Sequence, residues 1–154
     1  IMEYEKIQLG KFIIAGISVR TINRDNRSQR DISELWGRLL MNNVVQSIPN
    51  KVSDDIYCMY TDYESDFTGE YTTILGCQVS SIEGISDEYT IKEVPTSNYY
   101  KFISEGRIPE TIAKTWDFIW QSNIKRKYEA DFEVYGKSAE NPENAIVATY
   151  LSIE

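Results

Sequence analysis

Polar and apolar positions along this chain change period several times, and the changes mark out its elements. Over residues 6–22, Ile13, Ala15, Ile17 and Val19 alternate with mixed residues, the period of a half-buried β-strand. Gly10 and Gly16 are points where so long a strand can bend or bulge. After a polar loop over 23–30 the period lengthens, and Ile32, Leu35, Trp36, Leu39 and Leu40 recur at helical spacing. Asp31, with Glu34 three residues on, is expected to cap this helix in a variant of the capping box, and Pro49 closes the segment. Residues 55–63 alternate again, with Ile56, Cys58 and Tyr60 on one face and Tyr57 and Met59 on the other. The acidic tract 62–70 reads as a hairpin loop and 71–82 as its return strand. Residues 89–104 are strand-like with an interruption at Pro95, and Gly106 marks the following turn. A second helix begins near Pro109, its apolar face carrying Ile112, Trp116, Ile119, Trp120 and Ile124. A strand over 131–135, a loop around Pro142 and a last strand over 145–153 complete the order β-α-β-β twice.

The doubling is visible in the residues. Asp31-Ile32-Ser33-Glu34-Leu35-Trp36 matches Thr111-Ile112-Ala113-Lys114-Thr115-Trp116 in helical phase, and Asp55-Ile56-Tyr57 resembles Asp131-Phe132-Glu133. The two matches have different spacings, as in a diverged duplication rather than a strict array. The pattern predicts one domain over 5–154, built of halves 5–82 and 89–154 that meet around a central cleft. It also sets Tyr57 opposite Glu133.

In the strand Asp131-Phe132-Glu133-Val134-Tyr135, Phe132 and Val134 point to one side while Asp131, Glu133 and Tyr135 share the other. Two readings of Glu133 follow. On a solvated face it is an ordinary strand residue paired with a lysine; lining a cavity, it is a negative charge among aromatic rings, a trap for an organic cation. Trp116 and Trp120 likewise read either as core or as pocket walls.

Composition narrows the choices. Eleven Tyr, five Phe and three Trp suit partly wet cavities and interfaces as well as cores. The formal net charge of −8 disfavours direct nucleic-acid binding, and the basic run Lys125-Arg126-Lys127 reads as a helix C-terminus. No apolar run approaches a membrane span and no signal peptide is apparent, which points to a cytoplasmic protein without membrane contact. Ile1, ahead of Met2, reads as a residue left from expression and carries no argument. Cys58 and Cys77 read as core thiols, with a redox pair as the alternative. The absence of histidine removes Ser-His-Asp and Cys-His catalysis and His-ligated metal sites. The acidic tract lacks EF-hand spacing, so neither a metal nor a cofactor is expected.

Several tracts together resemble the GyrI-like family of bacterial effector-binding domains, found at the C-terminus of AraC-type and MerR-type regulators and as stand-alone proteins. They are Tyr60-Thr61-Asp62-Tyr63-Glu64-Ser65-Asp66, Gly69-Glu70-Tyr71, Ile74-Leu75-Gly76, Trp116-Asp117-Phe118-Ile119-Trp120 and the Glu133 strand. The resemblance implies an α+β fold, a duplicated β-α-β-β unit with pseudo-twofold symmetry, whose curved antiparallel sheet forms a partly open barrel around a ligand cleft, with two main helices. It further implies that Glu133 meets lipophilic cations, with Tyr135 and Tyr57 lining the same pocket and Trp116 or Trp120 adding a ring. The first functional reading is therefore a stand-alone multidrug-binding protein of the transcription-regulator type, with no catalytic residue assigned and a separate regulator as its candidate partner. The alternatives are a hydrolase of cyclopropane-containing DNA-alkylating compounds and an inhibitor that binds gyrase.

Overall fold

The computed structural model describes residues 2–154; Ile1 lies outside the described residues. Eight strands form one antiparallel sheet: β1 Tyr4–Leu9, β2 Phe12–Ile22, β3 Ile56–Thr61, β4 Glu70–Val79, β5 Thr90–Val94, β6 Ser97–Gly106, β7 Ala130–Tyr135 and β8 Ala145–Ile153. There are two long helices, α1 Arg27–Met41 and α3 Glu110–Gln121, a short α2 Val44–Ser47 after α1, and a 3-10 turn Lys137–Ala139 between β7 and β8. The fold is α+β with the β-α-β-β order repeated, as the hydrophobic pattern predicts.

The sheet order is β1-β6-β8-β7-β3-β4-β2-β5, which is symmetric about the β3–β7 seam. The strand expected over 6–22 is two strands. Its break at Gly10 and Lys11 lets β1 leave its own half and pair with β6, while β2 pairs with β4 and β5. Pro95, which has no N–H to give a ladder, makes the matching break between β5 and β6, so β5 pairs with β2. Each half of the sheet is thus completed by an edge strand from the other.

Both long helices lie on one face. Leu35 and Leu39 of α1 pack on Ala15, Ile17, Cys58 and Leu75, while Ile119 of α3 packs on Phe102 and Leu151. The opposite face carries Ile14, Met59, Ile74, Val94, Tyr99 and Phe132. Phe12 on β2 meets Phe132 on β7 at 5.3 Å between ring centroids, although the two strands lie three steps apart in the sheet. A flat sheet would separate them by roughly 14 Å at its usual strand spacing. The sheet therefore curls, and this face closes on itself as a second core.

The helix start differs from the expectation at Asp31. Asp25 and Asn26 adopt left-handed backbone, which turns the chain straight from β2 into α1, and Asn26 takes the cap position at φ 58°. Asp31 is one turn inside the helix, where its carboxylate accepts a hydrogen bond from the Thr21 hydroxyl at 2.9 Å and lies 3.5 Å from Arg27. Leu40, periodic with the apolar face, is exposed near the helix end.

The β2–β4 ladder runs through Gly16 without a bulge. Gly16 faces Gly76 across it, and a methyl on either glycine would lie 2.0 Å from a backbone oxygen of the other strand. Gly76→Ala is expected to lower stability by about 1–3 kcal/mol through this overlap. Gly37→Ala, with open space inside α1, should be neutral or stabilising. Urea unfolding midpoints of the two variants check the contrast.

Candidate functional site

β7 runs between β3 and β8, paired on both sides, and α1 and α3 cover one of its faces. Phe132 and Val134 point into the concave core, and Asp131, Glu133 and Tyr135 point toward the helices, as the alternation predicts. Glu133 is only 2% exposed. The Tyr60 hydroxyl and the Trp116 indole N–H each donate to Glu133 Oε2 at 2.8 Å, and the Tyr135 hydroxyl donates to Oε1 at 2.6 Å. Rings enclose these donors. Trp36 of α1 stands edge-on to Tyr135 at 5.0 Å, and Tyr60 is perpendicular to Trp116 at 5.5 Å.

Glu133 has no ion-pair partner among the described residues. Burial pushes its carboxyl pKa upward, and hydrogen bonds from Tyr135, Trp116 and Tyr60 pull it back only in part. Burial, reinforced by the neighbouring carboxylate, also holds the Tyr60 and Tyr135 phenols and the Cys58 thiol well above their usual ranges. The two tyrosines therefore keep their protons and remain donors to Glu133.

Two residues earlier, Asp131 is fully buried but fully matched. It accepts hydrogen bonds from Arg126 at 2.9 Å, the Tyr63 hydroxyl at 2.6 Å, and the backbone N–H and hydroxyl of Ser152 at 2.7 and 2.9 Å. One carboxylate on this face has a cation, and its neighbour has none.

Of the five residues singled out in the sequence, Glu133, Tyr135 and Trp116 come together. Trp120 does not reach the carboxylate; it is 44% exposed, with its ring 6.3 Å from Trp116 and stacked on Phe67 of the β3–β4 connection at 6.3 Å. Tyr57 is a correction. The β3–β7 ladder pairs Cys58 with Glu133 and Tyr57 with Val134, so Tyr57 lies on the concave face against Phe12 and Phe132, and its hydroxyl bonds Gln78. Aligning the two halves by Asp55 and Asp131 is one residue out of register, and a one-residue slip moves a side chain through the sheet. It is Tyr60, not Tyr57, that shares the Glu133 face and donates to the carboxylate. Its own alternation with Cys58 was available in the sequence; the register that brings both to Glu133 was not. Trp36 packs against the core under α1, as its place on the apolar helix face predicts; its edge contact with Tyr135 is what the helical period does not show.

The same arrangement can be set beside known proteins. A family model described as Cass2, integron-associated effector binding protein, matches residues 7–153. YobU of Bacillus subtilis (strain 168), a candidate transcriptional regulator, is 30% identical over 145 residues, covering 91% of each chain. An integron cassette protein from the mobile metagenome of Vibrio cholerae is 26% identical, covers 98% of this chain and 95% of its own, and superposes with a TM-score of 0.74. SAV2435, solved bound to tetraphenylphosphonium, is 21% identical with a TM-score of 0.81 over 99% of this chain and 94% of its own, a likeness of fold. With an eight-stranded curved sheet under two long helices and a match over nearly its whole length, the chain belongs to the Cass2 family of GyrI-like effector-binding proteins.

Proposed function

We propose that this protein captures lipophilic organic cations between α1 and α3, with Glu133 as the counter-charge. The observation that carries the reading is a buried carboxylate with three neutral donors, no cation, and a surround of Tyr60, Trp116, Tyr135 and Trp36. An ionised group held this way keeps an electrostatic deficit, because neutral donors offset only part of the desolvation that burial imposes. A cation entering beside it removes the deficit, and each ring it faces adds roughly 0.5–2 kcal/mol of cation-π attraction. Charge and ring faces ask for no rigid fit, so selectivity is for a class of ligand. Tetraphenylphosphonium, which SAV2435 binds, is a compound of that class.

Capture is favoured over hydrolysis because both oxygens of Glu133 are engaged by fixed donors. A net charge of −8 argues against contact with a phosphate backbone, so the ligand is held or reported to a partner rather than read out on DNA directly.

Titration calorimetry with tetraphenylphosphonium and neutral triphenylphosphine oxide tests the proposal. The cation is expected to bind the wild type, the neutral analogue to bind at least about tenfold more weakly, and Glu133→Gln to lose that preference. Equal binding of the cation by Glu133→Gln would sink the reading.

Acidity supplies a second check. A protonated Glu133 offers no charge, so cation affinity should rise with pH through the raised carboxyl pKa and then level off, with protons released on binding. Without ligand the sign reverses. The folded pKa lies above the unfolded one, so stability contributed at this site is lost as pH rises from the unfolded value to the folded value. Glu133→Gln should show neither slope.

A further inference from the structure

Paired with Asp131, two residues from Glu133 along β7, stands a charge of the opposite sign that cation capture alone does not use. Arg126 follows α3, and its side chain is only 5% exposed. Its Nη2 donates to Asp131, but the N–H groups on Nε and Nη1 are buried without any acceptor. Asp131 cannot readily turn to take them, since its two oxygens also hold the Tyr63 hydroxyl and both donors of Ser152. The guanidinium carbon lies 4.3 Å from the ring centroid of Tyr128 and 5.8 Å from that of Trp116. Tyr128 holds its place in left-handed backbone at φ 56°, a sparsely populated conformation for an aromatic residue and one that clusters at binding sites.

Trp116 is shared by the two charges. Its N–H edge binds the Glu133 carboxylate while its ring lies beside the Arg126 guanidinium. Thr149, paired with Glu133 across the β7–β8 ladder, also buries a hydroxyl with no partner. Of the six buried polar atoms without a partner among the described residues, two are on Arg126 and one is on Thr149 opposite Glu133, the others being on Thr73, Tyr99 and Glu129. An unmatched donor on a charged group is costly to bury, and the planar fork of an arginine matches the two oxygens of a carboxylate.

We propose that Arg126 is an anion-accepting subsite of the same pocket, so that the preferred ligand is a lipophilic zwitterion. Its cationic centre meets Glu133, and a carboxylate or similar anionic oxygen on the other side of Trp116 takes the free N–H groups of Arg126. The inference rests on the Glu133 reading and adds the second half of the ligand.

Two probes separate the two ideas: (4-carboxybutyl)triphenylphosphonium and pentyltriphenylphosphonium, which differ at the end of the chain. In calorimetry at neutral pH the wild type should bind the carboxylate probe about tenfold more tightly. Arg126→Lys keeps the charge beside Asp131 but loses the fork, and should abolish that preference while leaving the pentyl probe within about twofold. Glu133→Gln should weaken both probes. Equal binding of the two probes by the wild type, or a preference that survives in Arg126→Lys, overturns the zwitterion proposal and leaves cation capture standing. Absence of binding by either probe to the wild type overturns both. Should Arg126→Lys fail to fold, the double variant Arg126→Gln with Asp131→Asn removes both charges together and carries the same expected loss of preference.

Discussion

Where β7 meets β3, the pairing of Cys58 with Glu133 decides which side chains share a face with the carboxylate, and the chemistry of the site follows from that register. With it, Tyr60 and Tyr135 stand on either side of Glu133 and Trp116 reaches down from α3. Shifted by one residue, the glutamate would point into the concave core toward Phe12 and Tyr99, where none of those donors is found. The register is in turn held by the position of the pair. β3 and β7 are the two central strands of an eight-stranded sheet, each laddered on both edges, so neither can slide without breaking a second set of hydrogen bonds.

Asp131 and Glu133 show two ways of burying an acid on the same strand. Asp131 is stabilised by a guanidinium, a phenol and two donors from β8, and removing any one partner would leave the rest of a buried network unbalanced. Glu133 has hydrogen bonds without opposite charge, which satisfies its oxygens and leaves its electrostatic energy high. A fold tolerates such a group when packing elsewhere offsets it. Here one core lies under α1, another under α3, and a third forms where the sheet closes on itself.

The sequence announced most of the elements because their periods are local. The alternation through Cys58 and Tyr60, the alternation through Glu133 and Tyr135, and the break at Pro95 all depend on residues close in the chain; Gly10, expected to bend one strand, instead separates two. Three features depend on distant pairing and were not legible. The exchange of β1 and β5 between halves is decided by which edges the sheet leaves open, and nothing in Tyr4–Leu9 names Ser97–Gly106 as its partner. The face of Tyr57 turns on a register between strands more than seventy residues apart in the chain, as the Tyr60–Glu133 bond shows by its separation of 73. The burial of Arg126 was hidden in a basic run that reads as a solvated helix end, although Lys125 and Lys127 on either side are indeed exposed.

If Glu133 is the counter-charge proposed above, the same geometry says which part of the protein has to give way for a ligand to reach it. With the carboxylate 2% exposed, one of its three donors has to move. Tyr60 and Tyr135 are rooted in the central strands, whose backbones are fixed by ladders on both sides. Trp116 comes from α3, which rests on the sheet through side chains such as Ile119 rather than through backbone bonds. Side-chain packing can be re-formed after a small helix shift, whereas a ladder must be broken, so displacement falls on α3. The next turn of that helix carries Trp120, half in solvent and stacked on Phe67 of the β3–β4 connection. On the proposed reading of Glu133, occupation of the pocket is expected to be felt first at the surface formed by Trp120 and Phe67.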